Sequence, residues 1–233
     1  MRDPQTIRKA TEGVRAVYHI CPNMLPDEVG IGETVIAAAT SAGIERFVYH
    51  SVLHPQTEKM PHHWHKLRVE EMLIESGLPF TILQPTAYMQ NLLVAWQAIS
   101  EQGVYAVPYP VGSRLSLVDL ADVAEIAAKV LTESGHLGAT YELVGTDPLP
   151  QTAVAAVFAE QLDRPVMAQE IPLENWQGDA EAAGQLSPFA LDTLLHMFRY
   201  YAAFGLAGNP RVLELLLGRA PTSLSAFVER NRD

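Results

Sequence analysis

The sequence predicts an α/β protein built on a parallel, Rossmann-like sheet. Two observations carry that reading: short apolar runs rich in β-branched and aromatic residues alternate with amphipathic stretches of helical length, and the runs are apolar on both faces. Strands that alternate with helices form βαβ units, and these give parallel sheets buried under helices.

The elements follow in order. Pro4 to Thr11 reads as a helix stopped near Gly13, and VRAVYHI at 14–20 reads as the first strand. After Pro22, a helix is expected over Asp27 to Ala42, with Val29, Val35, Ile36 and Ala39 at helical spacing and Gly43 at its end. FVYHSV at 47–52 is the second strand. His62 to Ser76 is the next helix, with Val69, Met72 and Leu73 inward and Glu70 and Glu71 outward. FTIL at 80–83 is the third strand, closed by Pro85, and a helix is expected over Ala87 to Gln102. VYAV at 104–107 is a short strand, and Asp119 caps the helix through VAEIAAKVL. YELVG at 141–145 and PVMAQEIP at 165–172 are further strands flanking a helix over Gln151 to Leu162, and the remainder from Leu173 is nearly all helical. The expected organisation is a Rossmann-like domain over 1–149 and a small, mainly helical lobe over 150–233.

The charge balance narrows the partners. A net charge of -11 and a pI near 5.1 supply no basic face for nucleic acid or an anionic membrane. The single cysteine, Cys21, allows no intrachain disulfide and no cysteine-based zinc cluster, which points to a reducing cytoplasm. No apolar stretch approaches the roughly 20 residues of a membrane span, and no secretory leader is read.

Ligands of open α/β sheets bind beyond the carboxyl ends of the strands. That directs attention to Cys21, Pro22 and Asn23, to Ser51 and the residues after it, and to 84–91, QPTAYMQN. A dinucleotide site also needs a glycine-rich turn after the first strand, because backbone N–H groups must approach the pyrophosphate. Here GIG at 30–32 lies inside the expected helix, and Val35 stands where a third glycine belongs, so the pair is read as a chance match.

The segments GVRAVYHICP, AGIERFVYHSV, HKLRVEEMLIESGLPFTILQPTAYMQNLL, VDLADVAEIAAKVLTESGHLGATYELVG and LLGRAPTSLSAFV together resemble the NmrA-like branch of the atypical short-chain dehydrogenase/reductases. The block ESGLPFTILQP followed by MQNLL is the most specific part. Members of that family open with a strand, a glycine-rich turn and two further βα units that bind the adenosine and pyrophosphate of NADP. The resemblance implies that this chain begins after them, as a truncated form or through an internal start. Two expectations follow: NADP, with NAD as the alternative, is bound weakly or not at all by this chain, and the strand at 14–20 offers an edge for pairing into a homodimer.

Lys66 is the leading candidate. It shares the helix edge of Val69 and Leu73, which faces the sheet, and in the resembled family a lysine here reaches the nicotinamide ribose. His62 stands where the family's Tyr-x-x-x-Lys pattern has tyrosine, and an imidazole can also donate or accept a proton. Ser51 lies where the family's active-site serine or threonine would be, so Lys66, Ser51 and His62 form the expected catalytic set. The cofactor-binding set is Cys21, Pro22, Asn23, Ser51, Lys66, Pro85, Thr86 and Ala87, and Tyr88, Met89 and Asn91 resemble the family's substrate side. Tyr105 and Tyr109 add aromatic surface, whereas Trp96 is read as core and Cys21 as a buried small hydrophobe. His62 and His65, with His50 or His54, have the spacing to share a metal but lack a completing carboxylate, and histidines at a helix start commonly face solvent, so no metal site is expected.

Two functions remain open at this point. One is an NADP-dependent oxidoreductase acting on a small apolar carbonyl, quinone or enone. The other is a non-catalytic NmrA-type redox sensor or protein-binding regulator.

Overall fold

A computed structural model describes residues 3–22 and 24–232 of the chain. Two compact units interleave along the sequence: Met1–Pro85 with Ala124–Glu142, and Thr86–Val123 with Leu143–Asp233. They do not divide the chain at 149/150 as the sequence suggests.

The first unit opens with α1 (Pro4–Thr11), whose first-turn amides at Gln5 and Thr6 are capped by the Asp3 carboxylate. It continues through β1 (Ala16–His19), α2 (Glu28–Ala42), β2 (Arg46–His50), α3 (Pro61–Glu75) and β3 (Phe80–Pro85). β1 pairs parallel with β2, and β2 with β3, with Val17 opposite Phe47 and Phe47 opposite Phe80. The Ala139–Leu143 strand completes the order β1, β2, β3, Ala139–Leu143, so the expected parallel Rossmann-like sheet is present. The strands agree with their sequence readings to within a few residues, because apolar runs bounded by proline, glycine or a charged turn leave few alternatives.

Phe47, Tyr49 and Ile82 from the strands, Ile31, Val35 and Ala39 from α2, and Val69 and Leu73 from α3 form one core cluster. α2 stops at Gly43, in the left-handed conformation at φ 63°, whose amide reaches the carbonyls of Ala39 and Thr40. The glycine within GIG has a packing role. A Cβ on Gly32 would lie 2.7 Å from Val69 Cγ2, so Gly32 lets α2 and α3 approach closely.

The second unit includes α4 (Leu120–Thr132) at its first turn, where Asp119 caps the Ala121 amide at 3.0 Å as the sequence predicts. Three two-stranded pairs lie in this unit: Ala87–Tyr88 with Leu117–Val118, Val104–Val107 with Met167–Glu170, and Arg114–Leu115 with Leu149–Pro150. Helices at Leu173–Ala183, Pro188–Phe204, Arg211–Leu217 and Leu224–Asn231 fill the C-terminal part. Two buried aspartates anchor its end. Asp119 accepts from Arg230 at 2.7 Å, and Asp122 accepts from Arg219 at 2.8 Å and from the Thr222 amide at 2.6 Å.

The helix expected over Ala87–Gln102 is absent. Ala87–Tyr88 is extended, Met89–Ala95 forms a 3₁₀ segment and Ala98–Gln102 a π turn. The extended pair binds Ala87 and Tyr88 to Leu117 and Val118, and Gln90 is held by Asp119 and the Leu120 amide. These tertiary bonds override the local helical pattern.

Candidate active site

In the first unit, the carboxyl ends of β1, β2 and β3 gather a set of buried polar side chains. Lys66 is 9% exposed and donates to Glu28 Oε1 at 2.6 Å. Tyr49 donates to the same oxygen at 3.2 Å, and the Lys66 ammonium stands 5.7 Å from the centre of the Tyr49 ring. α2 and α3 thus meet over a buried ion pair with a phenol attached. Burial, the Glu28 charge and its hydrogen bond all push the Tyr49 hydroxyl well above its ordinary pKa.

Ser51 is 1% exposed, directly after β2, and its amide donates to Leu83 O at 2.8 Å. Its hydroxyl donates to Glu70 Oε1, and Gln84 of β3 donates to both Glu70 oxygens, at 2.9 and 3.0 Å. The outward position expected for Glu70 is therefore corrected. The buried amide of Gln84 and the hydroxyl of Ser51 both need an acceptor, and Glu70 supplies it. Burial raises the Glu70 pKa, and the bonds from Ser51 and Gln84 and the charge of Lys66 only partly offset that.

The histidines are also corrected, since His62 and His63 are buried rather than solvent-facing. Their rings meet edge to face at 4.5 Å, and His63 Nδ1 lies 3.2 Å from the His54 carbonyl. Burial, with neighbouring imidazoles and Lys66, pushes the His62 pKa down to about 3, so the ring is neutral near pH 7. Its Nδ1 has no hydrogen-bond partner among the described residues. His19, at the end of β1, stacks on Tyr49 at 5.7 Å. No group of three or more His, Cys, Asp or Glu side chains among the described residues is arranged to hold a metal ion.

Cys21 is buried beyond β1, and burial pushes its thiol pKa up to about 11, the state of a small hydrophobe. Pro22 is exposed, and Asn23 lies outside the described residues. Pro85 ends β3 and accepts from the Leu53 amide at 2.8 Å. The first unit thus brings together Ser51, Lys66 and His62 with Cys21, and it adds Glu28, Tyr49, Glu70, Gln84 and His19 to the sequence-derived set. Gln84 was the legible signal for this network, because an amide in a buried strand requires a polar partner.

The remaining candidates belong to the second unit. Thr86 is buried, with its hydroxyl donating to Ser116 O at 3.0 Å and its amide to Leu143 O at 3.1 Å. Ala87 and Tyr88 are half-buried, Asn91 is exposed, and Met89 is fully buried, so Met89 packs as core and presents no side chain to a substrate. Tyr105 and Tyr109 are corrected from surface to interior. Tyr105 donates to Gln151 at 2.9 Å, and Tyr109 packs on Phe198 and Tyr201. Trp96 is half-buried, edge to face with Phe158.

Comparison with known proteins identifies the family. The NmrA-like family pattern matches residues 1–227. The chain is 30% identical to the NAD(P)H azoreductase of Xenophilus azovorans over 231 residues, 98% of this chain and 79% of that protein. It is 28% identical to quinone oxidoreductase 2 of Escherichia coli, over 97% of this chain and 78% of the relative. The crystal structure of the E. coli NADPH-dependent quinone oxidoreductase complexed with NADPH superposes with a TM-score of 0.87 at 27% identity, covering 99% of this chain and 81% of that one. By matched pattern, sequence and fold, this chain belongs to the NmrA-like family.

Proposed function

We propose that the chain is an NADP-type reductase of small apolar acceptors, with a quinone as the first candidate and a carbonyl or enone as its chemical equivalents. NAD is the alternative cofactor. The observation that carries this reading is the buried Lys66 ammonium beside the Ser51 network at the strand ends, where α/β sheets bind their ligands. The names of the azoreductase and quinone oxidoreductase relatives support a reductase over a sensor.

The residues fit one half of the cofactor. In the first unit Lys66 offers a cation for the nicotinamide ribose and Ser51 a hydroxyl beside it, and Cys21, Pro22 and Pro85 follow the strand ends. The pyrophosphate half does not fit among the described residues. GIG lies inside α2, where Gly32 is committed to Val69, so this glycine pair makes no pyrophosphate turn. Each missing charge-assisted hydrogen bond costs about 1.5–3 kcal/mol, so several lower affinity by orders of magnitude. When bound, the cofactor would supply a hydride; the chain's own part is to hold the Lys66 cation for the nicotinamide ribose and the Ser51 hydroxyl for the acceptor.

Fluorescence titration with NADPH and an assay of menadione reduction test this reading. The expected result is a dissociation constant well above micromolar, with slow reduction at high NADPH that Lys66→Ala abolishes. A micromolar constant overturns the weak hold, and no reduction at any NADPH concentration favours the sensor. We also infer that residues 14–20 are the pairing edge of a homodimer, because β1 ends the sheet order and Val14 and Ile20 are exposed. A monomer in light scattering at micromolar concentration contradicts that inference.

A further inference from the structure

Two carboxylates, Glu28 and Glu70, stand among the strand ends of the first unit, and their surroundings differ. Glu28 has the Lys66 ammonium at 2.6 Å and the Tyr49 hydroxyl at 3.2 Å. Glu70 is served by neutral donors, the Ser51 hydroxyl and the Gln84 amide. Lys66 lies one helical turn before Glu70 on α3, and its ammonium is bonded to Glu28. Glu28 thus has a cation as its direct partner, whereas the direct partners of Glu70 are neutral donors.

We propose that Glu70 is a positioning residue that sets, by whether it carries a proton, whether the Ser51 hydroxyl acts as a hydrogen-bond acceptor or a donor. A serine has one O–H and two lone pairs. With Glu70 ionised, that O–H is spent on Glu70, and Ser51 offers only lone pairs to a third group. With Glu70 protonated, the carboxyl O–H donates to Ser51 Oγ and frees the serine hydrogen for an acceptor oxygen. No bond is made or broken in this exchange; only the direction of two hydrogen bonds reverses.

The groups facing Glu70 are Tyr49 from β2 and Ser51 directly after it, Gln84 from β3 and Lys66 on its own helix, with Glu28 of α2 bonded to Lys66 and Tyr49. The hydrogen bonds from Ser51 and Gln84 and the lysine charge favour the carboxylate, and burial favours the neutral acid. The consequence for catalysis rests on the function proposed above: a hydroxyl that polarises a quinone or carbonyl oxygen must donate, so reduction is favoured with Glu70 protonated.

The test uses the full chain, carrying glutamate labelled with ¹³C at the side-chain carboxyl, followed by NMR across pH. The Glu70 resonance is the one lost in Glu70→Gln, or, if that variant misfolds, the one displaced in Gln84→Leu. Glu70 is expected to titrate above the exposed glutamates, and Ser51→Ala is expected to move its midpoint upward by about one pH unit, because a donor to the ionised form is lost. Menadione reduction is expected to fall as pH rises through the same midpoint, and Glu70→Gln is expected to lack that limb. A Glu70 that titrates with the exposed glutamates, or that ignores Ser51→Ala, overturns the proposal whatever the turnover. A limb that persists in Glu70→Gln overturns it as well. The NMR coupling without any turnover leaves the proposal standing and removes the reductase reading instead.

Discussion

At the scale of single residues, the sequence singled out Lys66 and Ser51, which the structure buries in polar networks, but it missed the charges around them. Periodicity placed Lys66 on the sheet-facing edge of α3, and the structure buries it there. It could not show that Glu28, 38 positions away, lies at the other end of a buried ion pair. Glu70 was misread because a helix pattern treats a glutamate as surface unless a buried partner is known. Gln84 and Ser51 come from different strands, and their convergence on Glu70 exists only after the strands pair. The Lys66–Glu28 pair makes a measurable prediction. Removing one member of a buried pair strands the other charge and costs about 3–5 kcal/mol, whereas replacing both with apolar groups is far milder. Lys66→Met is therefore expected to lower the urea midpoint sharply, and Lys66→Met with Glu28→Leu to recover much of the loss. A double variant as unstable as the sum of the singles counts against the pair.

At the scale of elements, the strands and the helices flanking them were legible because their apolar patterns agree with their tertiary positions. The 87–102 segment was not, because its conformation is set by Leu117, Val118 and Asp119, which lie outside any local window. GIG shows the converse: the sequence correctly placed it inside a helix, and the structure supplies its role, the close approach of α2 to α3. Gly32→Ala would set a Cβ 2.7 Å from the fully buried Val69. Overpacking of this kind costs about 1–3 kcal/mol, which at this chain length lowers Tm by a few degrees. Val69→Ala opens the space, so the double variant is expected to be more stable than the two single effects summed. A calorimetric cycle with no coupling would place the strain elsewhere, and an unstrained Gly32→Ala that loses NADPH affinity would return GIG to the cofactor.

At the scale of the whole molecule, composition gave the acidic character, but it could not show how many histidines are buried. Burial pushes the pKa of His19, His50 and His63 down to about 4, and that of His62 down to about 3. The unfolded chain takes up protons at these groups near the ordinary value of about 6.5. For a group whose folded pKa is depressed, stability is present above the unfolded pKa and is lost as pH falls toward the folded one. A pKa lowered by one corresponds to about 1.4 kcal/mol, so four such groups together are worth on the order of 10 kcal/mol. That matches the net stability of a typical domain, about 5–15 kcal/mol. Glu70 acts in the opposite direction, because its raised pKa favours the folded state at low pH, but it is one group against four. All four histidines lie in the first unit, so acid unfolding is expected to begin there. Trp64 belongs to that unit, and Trp96 and Trp176 belong to the second. In a chain carrying Trp96→Phe and Trp176→Phe, the emission of Trp64 should change cooperatively between pH 6.5 and pH 4, with uptake of up to four protons per transition. Native Trp64 emission that persists below pH 4 would mean that these imidazoles already bind protons in the folded protein.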